Sequence, residues 1–156
     1  IGDWSSDVCS SDLFLMRAVL PGMRQRRFGR IVNILSAMVK SPRFSEMGLS
    51  TAARTALMGI SKSVARDVII DNVTINNMMP ERIDTDRQKF MAERMMKAQN
   101  IDMTEARRQI ADSLPAKRFG TIQEFGDTCA FLCSAQSGFM TGQNLQLDGG
   151  SYEGLV

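Results

Sequence analysis

The chain contains no histidine. That removes His-based triads, His-ligated metal sites and imidazole proton shuttles in one step. Chemistry must then rest on hydroxyl, carboxylate, amine and guanidinium groups. Ser36 is the first candidate. It follows Arg30–Leu35, a short and nearly continuous apolar run, and so stands where a buried strand would end. Ligands of open α/β sheets bind at such ends, and a hydroxyl there can hydrogen-bond a polarised oxygen. A strand-terminating turn serine is the plainer alternative. Cys129 and Cys133 share a helix face, but a metal site needs more ligands, so small core residues are expected and no metal. Met91, Met95, Met96 and Met103 could line a flexible substrate lid or serve as ordinary packing. The basic cluster Arg24–Arg30 is explained by a helix end, so no nucleic-acid partner is expected.

The elements that must position these groups follow from composition and period. With 156 residues, 44% hydrophobic and 23% charged, the chain reads as one soluble globular unit. A net charge of +2 is too small to imply a polyanionic partner. No apolar run approaches the roughly 18 residues that span a bilayer, so no membrane is expected. Cys9, Cys129 and Cys133 make no disulfide framework, and a cytoplasmic location is expected.

Phe14, Leu15, Ala18, Val19 and Met23 recur at helical spacing, with Pro21 predicting a bend or a late start and Gly29 a stop. A polar loop from Ser36 to about Gly48 follows the Arg30–Leu35 strand. A long helix is predicted from about Ser50 to Ile69, with Ala53, Leu57, Ile60, Val64 and Val68 as its apolar stripe. Val73–Met79 reads as a strand stopped by Pro80. Residues 86–114 read as two helices split near Asn100. Thr121 with Glu124 forms a capping-box pattern opening a helix to about Ser134. Gly142–Asp148 is a last strand, closed by Gly149 and Gly150. Such alternation predicts an α/β fold with a parallel sheet and right-handed crossovers.

Residues 3–13 stand apart. They show no helical or strand period, and their Ser/Asp content favours turns. The string resembles the translation of a sequencing-library adapter joined to a truncated gene; a native polar tail is the alternative. Residues 1–13 are therefore read as a non-native tail and 14–156 as the folded unit.

Three blocks together resemble the short-chain dehydrogenase/reductase family, most nearly its 3-oxoacyl-acyl-carrier-protein reductase-like group. The first is Gly29-Arg30-Ile31-Val32-Asn33-Ile34-Leu35-Ser36. The second is Val73-Thr74-Ile75-Asn76 through Pro80, then Ile83, Asp84 and Thr85. The third is Arg118-Phe119-Gly120, Phe131-Leu132, Thr141-Gly142-Gln143 and Asp148-Gly149-Gly150. The resemblance implies a partial Rossmann-type, doubly wound sheet comprising the last three strands and their helices. It implies carbonyl/alcohol interconversion on a small-molecule substrate with NAD or NADP. It places the catalytic serine at Ser36 and the nicotinamide loop at Pro80, Glu81, Ile83 and Thr85. The glycine-rich phosphate loop would lie in a preceding half, and a homodimer or homotetramer is implied for the full-length protein. The 156-residue chain alone is then expected to be a weak catalyst or none, with an unpaired sheet edge and poor solubility.

The chain also departs from the family pattern. The family's tyrosine and lysine, four apart on the long helix, fall on Ser50 and Arg54. The only tyrosine is Tyr152, and no Tyr-x-x-x-Lys occurs. A serine hydroxyl is far less acidic than a phenol, and arginine holds its proton. Ser50 could replace the tyrosine or simply N-cap the helix; Arg54 could contact cofactor ribose or simply be solvated on the first turns of the helix. Glu81 stands where the family has glycine, predicting altered backbone or an occluded pocket. The family's active-site asparagine would fall near Val8. A catalytically inactive cofactor- or partner-binding protein is the rival reading.

Overall fold

The computed structural model describes residues 4–43 and 45–155. Helix α1 (Trp4–Gln25) leads into strand β1 (Gly29–Ile34), then α2 (Gly48–Val68), β2 (Val73–Pro80), α3 (Asp86–Gln99), α4 (Met103–Asp112), α5 (Ile122–Cys133) and β3 (Asn144–Leu147). Among the described residues the three strands form one parallel sheet in the order β1-β2-β3. This is the expected α/β architecture.

Central β2 buries seven consecutive residues, Val73 to Met79. Its odd-numbered side chains Val73, Ile75 and Met79 join Leu35 of the β1 side, Met16 of α1, and Leu57, Ala65 and Val68 of α2 in one core. The even-numbered Asn76 donates to Met140 O at 2.8 Å, and Arg30 donates to Ser134 O at 2.9 Å. The segment that follows α5 therefore covers the opposite face. Apolar and amide groups enclosed on both faces explain why β2 reads as a continuous run rather than an alternation.

Several sequence expectations are corrected. The helical backbone begins at Trp4, inside the stretch expected to lack helical structure, and continues through Pro21. Helix growth is cooperative once a packed segment exists, and Leu13, Met16, Leu20 and Met23 supply that packing. The stripe read from Phe14, Leu15 and Val19 faces outward instead, Phe14 being 70% and Leu15 62% exposed. Asp3 lies outside the described residues. Gly29 does not stop α1: Arg27 adopts the left-handed turn at φ 52°. Gly29 is needed for close approach, since a Cβ there would sit 2.7 Å from Met23 Cβ. On α2 the buried line is Leu57, Ser61, Ala65 and Val68. Ile60 is 40% exposed, because Ser61 turns inward to accept from Asn33 Nδ2 at 2.9 Å.

The predicted break near Asn100 is a left-handed residue, φ 52°, closing α3. Met91, Met95, Met96 and Met103 pack between α3 and α4 around Ala92, Ala106 and Ile110. The Thr121–Glu124 capping box forms as read, each side chain bonding the other's backbone N–H.

Candidate active site

All three strands run the same way, so their carboxyl ends lie side by side. Leu35 N donates to Met78 O at 2.8 Å, which carries the register past Ile34↔Met78 and brings Ser36 opposite Pro80. Ser36 is extended, with φ −158° and ψ 147°, and caps the 3-10 turn Ala37–Val39. Its Oγ accepts from Met38 N at 3.2 Å. A half-buried hydroxyl held at a strand end can turn its own proton toward an incoming oxygen.

The Pro80–Thr85 segment is fixed from the opposite side. Glu81 N donates to Leu147 O at 2.9 Å, Gly120 N to Arg82 O at 3.1 Å, and Asp84 N to Gly120 O at 2.8 Å. Ile83 forms a parallel bridge with Gly120. Thr85 stands exposed at the N-cap of α3, its hydroxyl donating to Ile83 O at 3.4 Å. Asp84 is held by Arg107 at 2.8 Å.

Glu81 causes no left-handed strain at its own position; the positive φ falls on the next residue, Arg82, at 55°. The Glu81 side chain is only 9% exposed, and its Oε1 meets Arg43 Nη1 at 3.2 Å. Its Oε2 is enclosed without a hydrogen-bond partner among the described residues. Arg43 also donates to Ser151 O at 3.1 Å. One guanidinium thus links the segments that follow all three strands.

The strand ends are adjacent as expected, but the expected single hollow is divided. A hollow of about 370 Å³ takes Glu81 and Ile83 together with Arg118, Gln146, Asp148 and Gly149. A second, of about 250 Å³, takes Pro80, Arg82, Ile83, Thr85 and Phe125. Ser36 lines neither. The split follows from the tie of Ile83 to Gly120 and the turn of Glu81 toward Arg43.

Ser50 and Arg54 lie on the first turns of α2 and are hydrogen-bonded to each other, Arg54 Nη1 to both Oγ and O of Ser50. Ser50 is not an N-cap: that position is Met47, without a side-chain cap bond. Ser36 Oγ is engaged separately, accepting from Met38 N. Arg54 acts electrostatically on Asp12 of α1. Burial raises the Asp12 carboxyl above its usual range, and the Arg54 charge draws it partly back.

A row of amides lies behind the strand ends. Asn33, Asn77 and Asn144 occupy matching register positions. Asn33 Nδ2 donates to Asn77 Oδ1 at 3.0 Å, and Asn77 Nδ2 to Asn144 Oδ1 at 2.8 Å. On the rim, Arg118 and the Thr121 groups hold the Glu124 carboxyl down to about 2. Desolvation, with Cys133 beside it, pushes the Cys129 thiol upward. Among the described residues no cluster of three metal-binding side chains occurs.

Comparison with known proteins decides the family. A family model described as enoyl-(acyl carrier protein) reductase matches residues 8–152. The chain belongs to the short-chain dehydrogenase/reductase family. Among its relatives, the NADPH-dependent reductase BacG of Bacillus subtilis is 35% identical over 133 residues, covering 85% of this chain and 51% of BacG. Acetoacetyl-CoA reductase of Cupriavidus necator is 35% identical over 155 residues, 97% of this chain and 58% of that protein. The structure of L-sorbose reductase from Gluconobacter frateurii, complexed with NADPH and L-sorbose, superposes with a TM-score of 0.83 at 32% identity, over 90% of this chain and 54% of that one. The chain therefore spans about half the length of the family members it matches.

Sequence reading missed Arg43 and Lys40. Each matters through a partner more than a hundred residues away or on another strand's loop, and no local period marks such pairs.

Proposed function

We propose that residues 14–156 form the C-terminal half of an NADPH-dependent reductase that interconverts a small carbonyl compound and its alcohol. The observation that carries this reading is the alignment of parallel strand ends that sets Ser36 opposite Pro80, beside the anchored Pro80–Thr85 segment. The dinucleotide, when bound, supplies the hydride. The fit is favourable on two counts: the Glu81 side chain is drawn off to Arg43, and Thr85 opens the 14-residue helix α3, whose N-terminus favours phosphate. Pro80, Ile83 and Thr85 would hold the nicotinamide side, Ser36 would donate to the carbonyl oxygen, and Arg54 would at most reach the ribose. The exposed β1 edge, where Ile34 is 46% exposed, would receive the remaining strands of a longer, cytoplasmic and homo-oligomeric protein. None of the described helices is long and apolar enough to cross a membrane.

Steady-state NADPH oxidation by the full-length protein with a panel of ketones tests the proposal. Turnover that collapses in Ser36→Ala is the expected result. NADPH binding without turnover would instead favour a catalytically inactive cofactor-binding protein, the reading that the Ser50–Arg54 pair supports.

A further inference from the structure

We propose that Arg43, by neutralising Glu81, sets the balance between oxidised and reduced dinucleotide at this site. The inference rests on the reductase reading above and adds to it a residue pair that acts by charge alone.

A nicotinamide ring carries a positive charge when oxidised and none when reduced. A fixed charge near the ring therefore discriminates between the two states, whereas an ion pair of no net charge does so far less. Glu81 is such a charge. It lies between Pro80 and Ile83, the residues read above as holding the nicotinamide side, and adjacent Cα atoms are only about 3.8 Å apart. Glu81 and Ile83 also line one hollow, together with Gln146 and Asp148.

The neighbouring carboxylates are engaged elsewhere. Asp84 pairs with Arg107 and Glu124 with Arg118, while Asp148 accepts from Gly150 N and Tyr152 N. Among the described residues Glu81 meets a single cation, Arg43, through Oε1 at 3.2 Å, and its Oε2 has no hydrogen-bond partner. The guanidinium is aimed from two further sides: Nε donates to Ser41 Oγ at 3.4 Å and Nη2 to Ser151 O at 3.1 Å. The two partners are unequally enclosed. The Arg43 side chain is 38% exposed and that of Glu81 only 9%. Water can solvate Arg43 without Glu81, but Glu81 has only Arg43 to balance its charge. Loss of Arg43 leaves a bare carboxylate that attracts the oxidised ring. Loss of Glu81 leaves a bare guanidinium that repels it, by less, because the exposed cation is screened by water.

The test measures the Kd of NADPH and of NADP⁺ on the full-length protein by calorimetry and follows their ratio. Arg43→Met is expected to move the ratio about tenfold toward NADP⁺, and Glu81→Gln about threefold toward NADPH. Arg43→Lys, which keeps the cation, should stay within about twofold of wild type, and the double variant Arg43→Met, Glu81→Gln should return to it. A purely structural ion pair would not give shifts of opposite sign, since either truncation would weaken both forms alike. An unmoved ratio in the single variants, or shifts of the same sign, overturns this inference; with Ser36→Ala inactive, the reductase reading still stands. Should Arg43→Met lose its fold, an unmoved ratio in Glu81→Gln overturns it as well. Wild-type protein that binds neither form of the dinucleotide overturns both readings.

Discussion

Strand β2 and helix α1 are both rich in apolar residues, yet they meet different surroundings. β2 is enclosed along its length by β1, β3 and helical segments on both faces. Helix α1 touches the core along one line, Leu13, Met16, Leu20 and Met23, and turns Phe14, Leu15 and Val19 outward. The difference teaches that apolar content marks a segment for burial, while the chain itself decides how much of that burial it can supply. A second apolar face on α1 is the kind of surface that a partner subunit covers.

The contrast can be broken or sharpened by substitution. Ile75→Ala, at a fully buried β2 position, should cost about 3 kcal/mol in urea unfolding; a loss below about 1 kcal/mol would mean that β2 is less enclosed than described. Asn77→Leu should cost roughly 2 kcal/mol, because it leaves the buried Asn33 amide and the Asn144 carbonyl short of partners. Thr121→Ala, on the surface capping box, should cost about 1 kcal/mol. Glu124 provides a pH signature. Its carboxyl is held down to about 2 by Arg118 and Thr121, so its contribution is complete above the unfolded carboxylate range and disappears as pH falls through that value. The stability difference between wild type and Glu124→Gln should be flat near neutrality and vanish in strong acid; a difference that persists in acid would point to packing. Leu15→Ser, on the outer face of α1, should change monomer stability by less than about 0.5 kcal/mol, and a larger loss in thermal melting would place Leu15 against protein.

Much of the fold was legible because its signals are local. The apolar runs of β1 and β2, the Thr121 capping box and the Asn100 break each depend on neighbours within a few residues. The α1 start was not legible, since Ser and Asp favour turns by themselves and the helix is sustained by packing that begins at Leu13. Ile60 was misplaced for a similar reason: the tilt of α2 follows the Asn33–Ser61 bond, which joins residues 28 apart. Around the candidate site, the position of Ser36 just after β1 and of the Pro80–Thr85 segment at the end of β2 was readable from the sequence blocks. The Arg43–Glu81 and Lys40–Tyr152 contacts exist only once three strand ends are brought together, so no stretch of sequence announces them.

The parallel arrangement also bears on how this chain must come into shape. Among the described residues no two strands are joined by a hairpin: Gly29 pairs with Val73, and Asn77 with Asn144. During synthesis the β2-facing edge of β1 stays unpaired until a complete helix and then β2 have left the ribosome. β2 must wait again for β3. Closure across such distances is slow compared with helix formation, so aggregation would compete with folding most strongly before β3 arrives.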